Sequence, residues 1–115
     1  MEPLASMTCV ACRPGEPTVS DEESREYLRQ IPEWRITHET DIPHLERTFT
    51  FPDFASALAF TDRVGALAEQ QGHHPALLTE WGRVTVSWWT HAIGGLHRND
   101  FILAAQTDTL YQERT

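Results

Sequence analysis

The sequence has no lysine, only two cysteines and no apolar run approaching bilayer length. Each shortage removes a class of function. Nine arginines face 17 aspartates and glutamates, a formal net charge of −8, so a phosphate backbone is repelled on average and no direct nucleic-acid partner is expected. A spanning helix needs about 20 predominantly apolar residues. The first thirty positions also lack the basic start and apolar stretch of a signal peptide. No membrane association and a cytoplasmic location are therefore expected. Cys9 and Cys12 stand beside Pro14, Gly15 and Pro17, too few for a disulfide scaffold. A zinc site asks for four ligands, and a Cys-x-x-Cys redox pair asks for a strand-to-helix setting. The two cysteines are read as thiols in a loose tail. Gly-x-Ser-x-Gly, His-Glu-x-x-His and a glycine-rich phosphate loop are also missing, which leaves nucleophilic catalysis, a zinc helix and phosphate cradling without support.

What is present is one domain's worth of chain. At 115 residues, 40% hydrophobic and 23% charged, it can bury roughly 65% of its extended surface. Residues 1–19 show no periodicity and read as a flexible N-terminal tail; residues 20–115 read as a single domain. Ser20-Asp-Glu-Glu23 predicts a capping box opening a short helix that Pro32 closes. Residues 34–38 and 45–51 alternate as strands around a turn at 41–44. Phe54, Ala57, Leu58, Thr61, Val64, Leu67 and Ala68 recur at helical spacing, and Gly72 supplies the left-handed stop. Strands are predicted over 76–80 and 83–91, the second with Val84, Val86 and Trp88 on one face and Thr85, Ser87, Trp89 and His91 on the other. A last helix from Arg98 has Phe101, Ala104, Ala105 and Leu110 as candidate core. The order α-β-β-α-β-β-α suits the α+β class: a four-stranded antiparallel sheet with helices packed on one face. The other face must be solvated or paired with another subunit.

Four of six histidines fall in the last half: His73, His74, His91 and His97. One histidine at a helix end is explained by the dipole, but two in succession before Pro75 suit proton transfer, since imidazole titrates near neutral pH. His91 taken alone reads as a polar strand-end residue. Asp100 reads equally well as a first-turn acid or as the orienting partner of an imidazole. Glu69 lies one turn back from His73 on the same side of the helix, where a solvated face is the simpler reading. Adjacent histidines without the four-residue spacing of a helical ligand pair argue against metal. The chemistry that remains is acid-base work by histidine, with Trp81, Trp88 and Trp89 available to stack on a flat molecule.

Glu69-Gln-Gln-Gly-His73-His74-Pro75, then Trp81, Thr90-His91 and Gly95-Leu-His-Arg-Asn-Asp100 resemble the signature of the pterin-4a-carbinolamine dehydratases. Trp34, Phe49-x-Phe51-x-Asp53-Phe54 and Ala57-x-x-Phe60 extend the resemblance over about residues 20 to 110. It implies dehydration of 4a-hydroxytetrahydropterin to quinonoid dihydropterin without cofactor or metal, in support of pterin recycling for an aromatic amino-acid hydroxylase. It further implies His73 and His91 as acid and base, His74 in binding and proton transfer, and Asp100 orienting His91. Glu69 and Trp81 would line the pocket, and subunits would associate as a homodimer or homotetramer. Relatives that act as a dimerisation cofactor or an assembly factor supply the alternative, a non-catalytic binding module on the same fold. A histidine-held metal is the third and weakest reading.

Overall fold

The computed structural model describes residues 3–10 and 16–113. Helix α1 spans Asp21–Leu28, with Ser20 Oγ accepting from the Glu23 amide and Glu23 accepting in return from the Ser20 amide, so the capping box forms as its spacing predicts. Strands β1 (Arg35–Thr37) and β2 (His44–Thr50) lead into helix α2 (Phe54–Gln71), then β3 (Ala76–Glu80), β4 (Arg83–Trp88) and helix α3 (Arg98–Gln112). All neighbouring strands are antiparallel in the order β1-β2-β4-β3. Helices α2 and α3 cover one face of this sheet, which is the α+β arrangement expected from the element order.

The period-two alternation of β4 sends Val84, Val86 and Trp88 into the core, where all three are fully buried beside Leu45 and Phe49 of β2. The opposite face is polar apart from the exposed Leu78: Thr48 and Thr85 hydroxyls meet at 3.1 Å, and Glu46 accepts from Ser87 and Arg35. Helix α2 departs from its expected core. Its buried stripe is Ala57, Phe60, Val64 and Ala68, while Phe54 and Leu58 are left exposed. The sheet selects one of two overlapping apolar stripes on that helix, and the stripe carrying Phe60 packs on Phe49 and Phe51.

Two further departures matter for function. Strand β4 stops at Trp88, and His91 opens a 3-10 turn, His91–Ile93, instead of ending the strand. The described part of the expected tail, residues 3–10, is packed on the domain: Leu4 is 0% exposed, and Met7 and Cys9 lie against the core. The reason is in α3, whose consecutive residues Phe101, Ile102, Leu103, Ala104 and Ala105 are all buried. A helix apolar on every side needs cover on the side away from the sheet, and the N-terminal segment provides it. Cys12 lies outside the described residues.

One half-buried charge cluster joins sheet and helix. Arg47 Nη1 meets Asp108 Oδ1 at 2.6 Å, with its guanidinium 4.3 Å from the Phe49 ring and 5.3 Å from that of Tyr111. Trp34 Nε1–H donates to the same carboxylate. Burial pushes the Asp108 carboxyl up, against the pull of Trp34 and Arg47. Arg47→Ala strands this carboxylate and should cost about 2 to 3 kcal/mol near pH 7. Because Arg47 is one of the groups holding the Asp108 carboxyl down, its loss lifts that group further. A raised carboxyl costs stability as pH rises, so the deficit should narrow toward about pH 4, as urea melts at the two pH values would measure.

Candidate active site

The site is assembled where the ends of three elements, α2, β4 and α3, meet. At the end of α2, Gly72 adopts φ 64°, and its amide donates to the carbonyls of Ala68 and Glu69. A residue with a Cβ pays strain in this left-handed region, which explains glycine here. The next amide, that of His73, also donates to Ala68 O, so the backbone of His73 is fixed before its side chain makes any contact. After β4, Thr90 pairs with Gly95 through both backbone groups and closes the small loop that carries His91. At the third element, His97 caps α3 by accepting from the Asn99 amide on Nδ1.

Asp100 ties the three together. Its carboxylate is 0% exposed. Oδ1 lies 2.8 Å from His73 Nε2, while Oδ2 accepts from the Thr90 hydroxyl at 2.8 Å and the His97 amide at 2.9 Å. An ionised carboxylate only accepts, so in the neutral form of His73 the proton sits on Nε2 and Nδ1 carries the lone pair. The orienting partner of Asp100 is thus His73, not the His91 expected from the sequence. The displaced end of β4 is the reason, because the 3-10 turn carries His91 outward to an exposed position.

His74 is exposed, and its Nε2 bonds the exposed Glu69 carboxylate. Glu69 therefore reaches the site through His74. Trp81 does not reach it within one chain. It sits 72% exposed at the β3–β4 turn, separated from His73 and His91 by the length of the hairpin, about 15 Å of strand. Trp89 takes the place that Trp81 was expected to fill. Trp89 lies between His91, 4.8 Å away by centroids, and His44, stacked at 3.9 Å with planes 9° apart. No spacing in the sequence marks His44, which falls at the end of the predicted 41–44 turn. Partial burial holds the His44 imidazole below its ordinary value, against the pull of Glu46.

Between these groups lies a cleft of about 470 Å³ bordered by His73, His74, Trp89, Thr90, His91 and, from the N-terminal segment, Cys9 and Val10. That volume falls in the range of small-molecule sites. No three His, Cys, Asp or Glu side chains gather as metal ligands among the described residues. The arrangement offers one oriented, part-buried imidazole and two exposed ones around a space with an aromatic wall, which suits moving protons on a flat molecule.

A family model described as pterin 4 alpha carbinolamine dehydratase matches residues 17–110. A protein of Nitrosococcus oceani, provisionally named a pterin-4-alpha-carbinolamine dehydratase, is 57% identical over 110 residues, covering 96% of this chain and 97% of its own. One of Chlorobium limicola with the same provisional name is 59% identical over 114 residues, covering 97% and 99%. Among solved structures, a transcriptional coactivator/pterin dehydratase from Brucella melitensis superposes with a TM-score of 0.74 at 26% identity, covering 82% of this chain and 98% of that one. A pterin dehydratase-like protein described as a RuBisCO assembly factor in the alpha-carboxysome gives 0.57 at 28% identity, covering 68% and 88%.

Two measurements test the geometry itself. Asp100→Asn puts an NH2 group among donors that need an acceptor, and should cost about 1 to 3 kcal/mol in urea melts. For His44, whose folded value is depressed, the unfolded chain takes up a proton first as pH falls. Its contribution is then complete above about pH 6.5 and is lost below it. His44→Gln should flatten this part of the stability–pH profile.

Proposed function

The chain belongs to the pterin 4 alpha carbinolamine dehydratase family, and from that membership we propose that it is a hydro-lyase acting on 4a-hydroxytetrahydropterin, the biopterin form included. The product is quinonoid dihydropterin plus water. The observation that supports this most strongly is the buried Asp100–His73 pair, which presents an oriented imidazole to a cleft shared with His74 and His91.

The chemistry asks for little else. The ring nitrogen beside the carbinol carbon supplies the electron pair that expels the hydroxyl, so a C–O bond breaks and a C=N bond forms. One proton must reach the departing oxygen and one must leave the nitrogen, and no oxidant or reductant enters the balance. His73 and His91 share these acid and base roles, His73 through Nδ1. His74, paired with Glu69 at the rim, binds substrate and exchanges protons with water. Trp89 offers a flat face to the pterin rings. This reading places the protein in the cytoplasm beside an aromatic amino-acid hydroxylase. It also places it in a homodimer or homotetramer, for which the unpaired edge of β3 and the exposed Leu78 and Trp81 supply apolar surface.

A non-catalytic assembly module is the alternative, drawn from the likeness to the RuBisCO assembly factor. The test is the rate at which chemically generated 4a-hydroxytetrahydropterin loses water, followed by ultraviolet absorbance. His73→Ala and His91→Ala should each lower the enzymatic rate by about 10² to 10⁴ while leaving the fold intact. A folded chain that gives no acceleration would transfer the assignment to the assembly module.

A further inference from the structure

The N-terminal segment lies outside the 17–110 stretch matched by the family model, yet Cys9 and Val10 border the cleft that holds the histidines. Its hold on the domain is specific. Asn99, the single asparagine of the chain and only 1% exposed, accepts from the Val10 amide on Oδ1 at 3.0 Å and donates from Nδ2 to the Val10 carbonyl at 2.6 Å. Gln106 Nε2 donates to the Met7 carbonyl, and the Leu4 amide donates to Gln30 Oε1. A side-chain amide gives and takes a hydrogen bond from two different atoms at once; an ionised aspartate in the same shape cannot donate. Asn99 also directly precedes Asp100, so one turn of α3 positions both the segment and His73.

Beyond this clamp, the Val10 side chain is about half exposed, an apolar group without cover at the border of a cleft. We propose that Cys9 and Val10 form a fixed wall of the substrate cleft, that Asn99 is the positioning residue holding it there, and that Val10 helps set which pterin side chains are accepted. This rests on the dehydratase reading for its substrate. The reacting rings are common to all pterins, so selectivity among them has to come from a surface that meets the variable side chain. A wall supplied from outside the catalytic framework can serve that end without disturbing proton transfer.

Two full-length variants test it, assayed with the 4a-hydroxy derivatives of 6-methyltetrahydropterin and tetrahydrobiopterin. Asn99→Asp keeps the shape but loses the donor; KM should rise about tenfold for both substrates with kcat changed less than about twofold. Val10→Trp leaves the clamp intact and should raise KM mainly for the bulkier biopterin side chain. A purely structural role for the segment would lower the melting temperature without this split between KM and kcat or between substrates. Wild-type KM values for both substrates in folded Val10→Trp would overturn the proposal, whether or not Asn99→Asp folds. Fluorescence titration with 7,8-dihydrobiopterin separates this idea from the function it rests on. A native chain that binds this pterin without dehydrating the substrate, with weaker binding in Val10→Trp, would remove the dehydratase and keep the wall. A native chain that binds no pterin would overturn both.

Discussion

A carboxylate removed from water must be met by donors, and around Asp100 that requirement decides the arrangement of everything nearby. Leaving a charge of this kind unpaired costs several kcal/mol, more than most single contacts contribute. Its donors come from three separate places: the loop after α2, the end of β4 and the start of α3. None of the three can shift without stranding it. Asp100 also lies in the first turn of α3, where the helix's positive end favours a negative charge. The bond that orients His73 is in this way also a bond that docks α3, and stability and site geometry share one group.

The same helix explains why the N-terminal segment belongs to the folded unit. Five successive apolar residues cannot all face a sheet that touches one side of a helix. Leu4, Met7 and Cys9 cover the remaining side. Burial on both sides makes α3 a rigid base, and a rigid base is what an oriented carboxylate needs. The Arg47–Asp108 pair, with Trp34 as a third partner, secures the same helix two turns further on. The imidazole held by Asp100 is thus set from behind by packing and ion pairing as well as by the backbone bonds of its own loop.

Local chemistry was legible in the sequence, and long-range chemistry was not. The Ser20 capping box, the Gly72 stop and the alternation of β4 through Trp88 each depend on neighbours within a few positions, and each formed as read. The partner of Asp100 is 27 positions away, and spacing alone gave no reason to prefer His73 over the nearer His91. Trp81 was grouped with the histidines because it follows them in the motif, but the five-residue length of β3 carries it to the opposite end of the hairpin. The segment around Leu4 was readable after all. The run Phe101-Ile-Leu-Ala-Ala105 called for a second cover on α3, and periodicity counted along one face concealed it.

The differing exposure of the three imidazoles bears on the choice between enzyme and assembly module. Dehydration leaves the catalyst as it began, but between the two proton transfers one group is a proton richer and another poorer. In the proposed dehydration, His73, part-buried and held by Asp100, suits the transfer that needs fixed direction, His91 the second transfer, and the exposed His74 the return of protons through water. A surface built only to hold a partner gains nothing from that division, and a buried carboxylate is an expensive way to fix one ring. Replacing such a buried polar pair by apolar groups of the same volume is often neutral or stabilising. A fold serving only as a scaffold would then be at least as stable without the pair. Its presence at the border of a cleft of ligand size, beside an aromatic wall, is accounted for more economically by proton transfer than by adhesion.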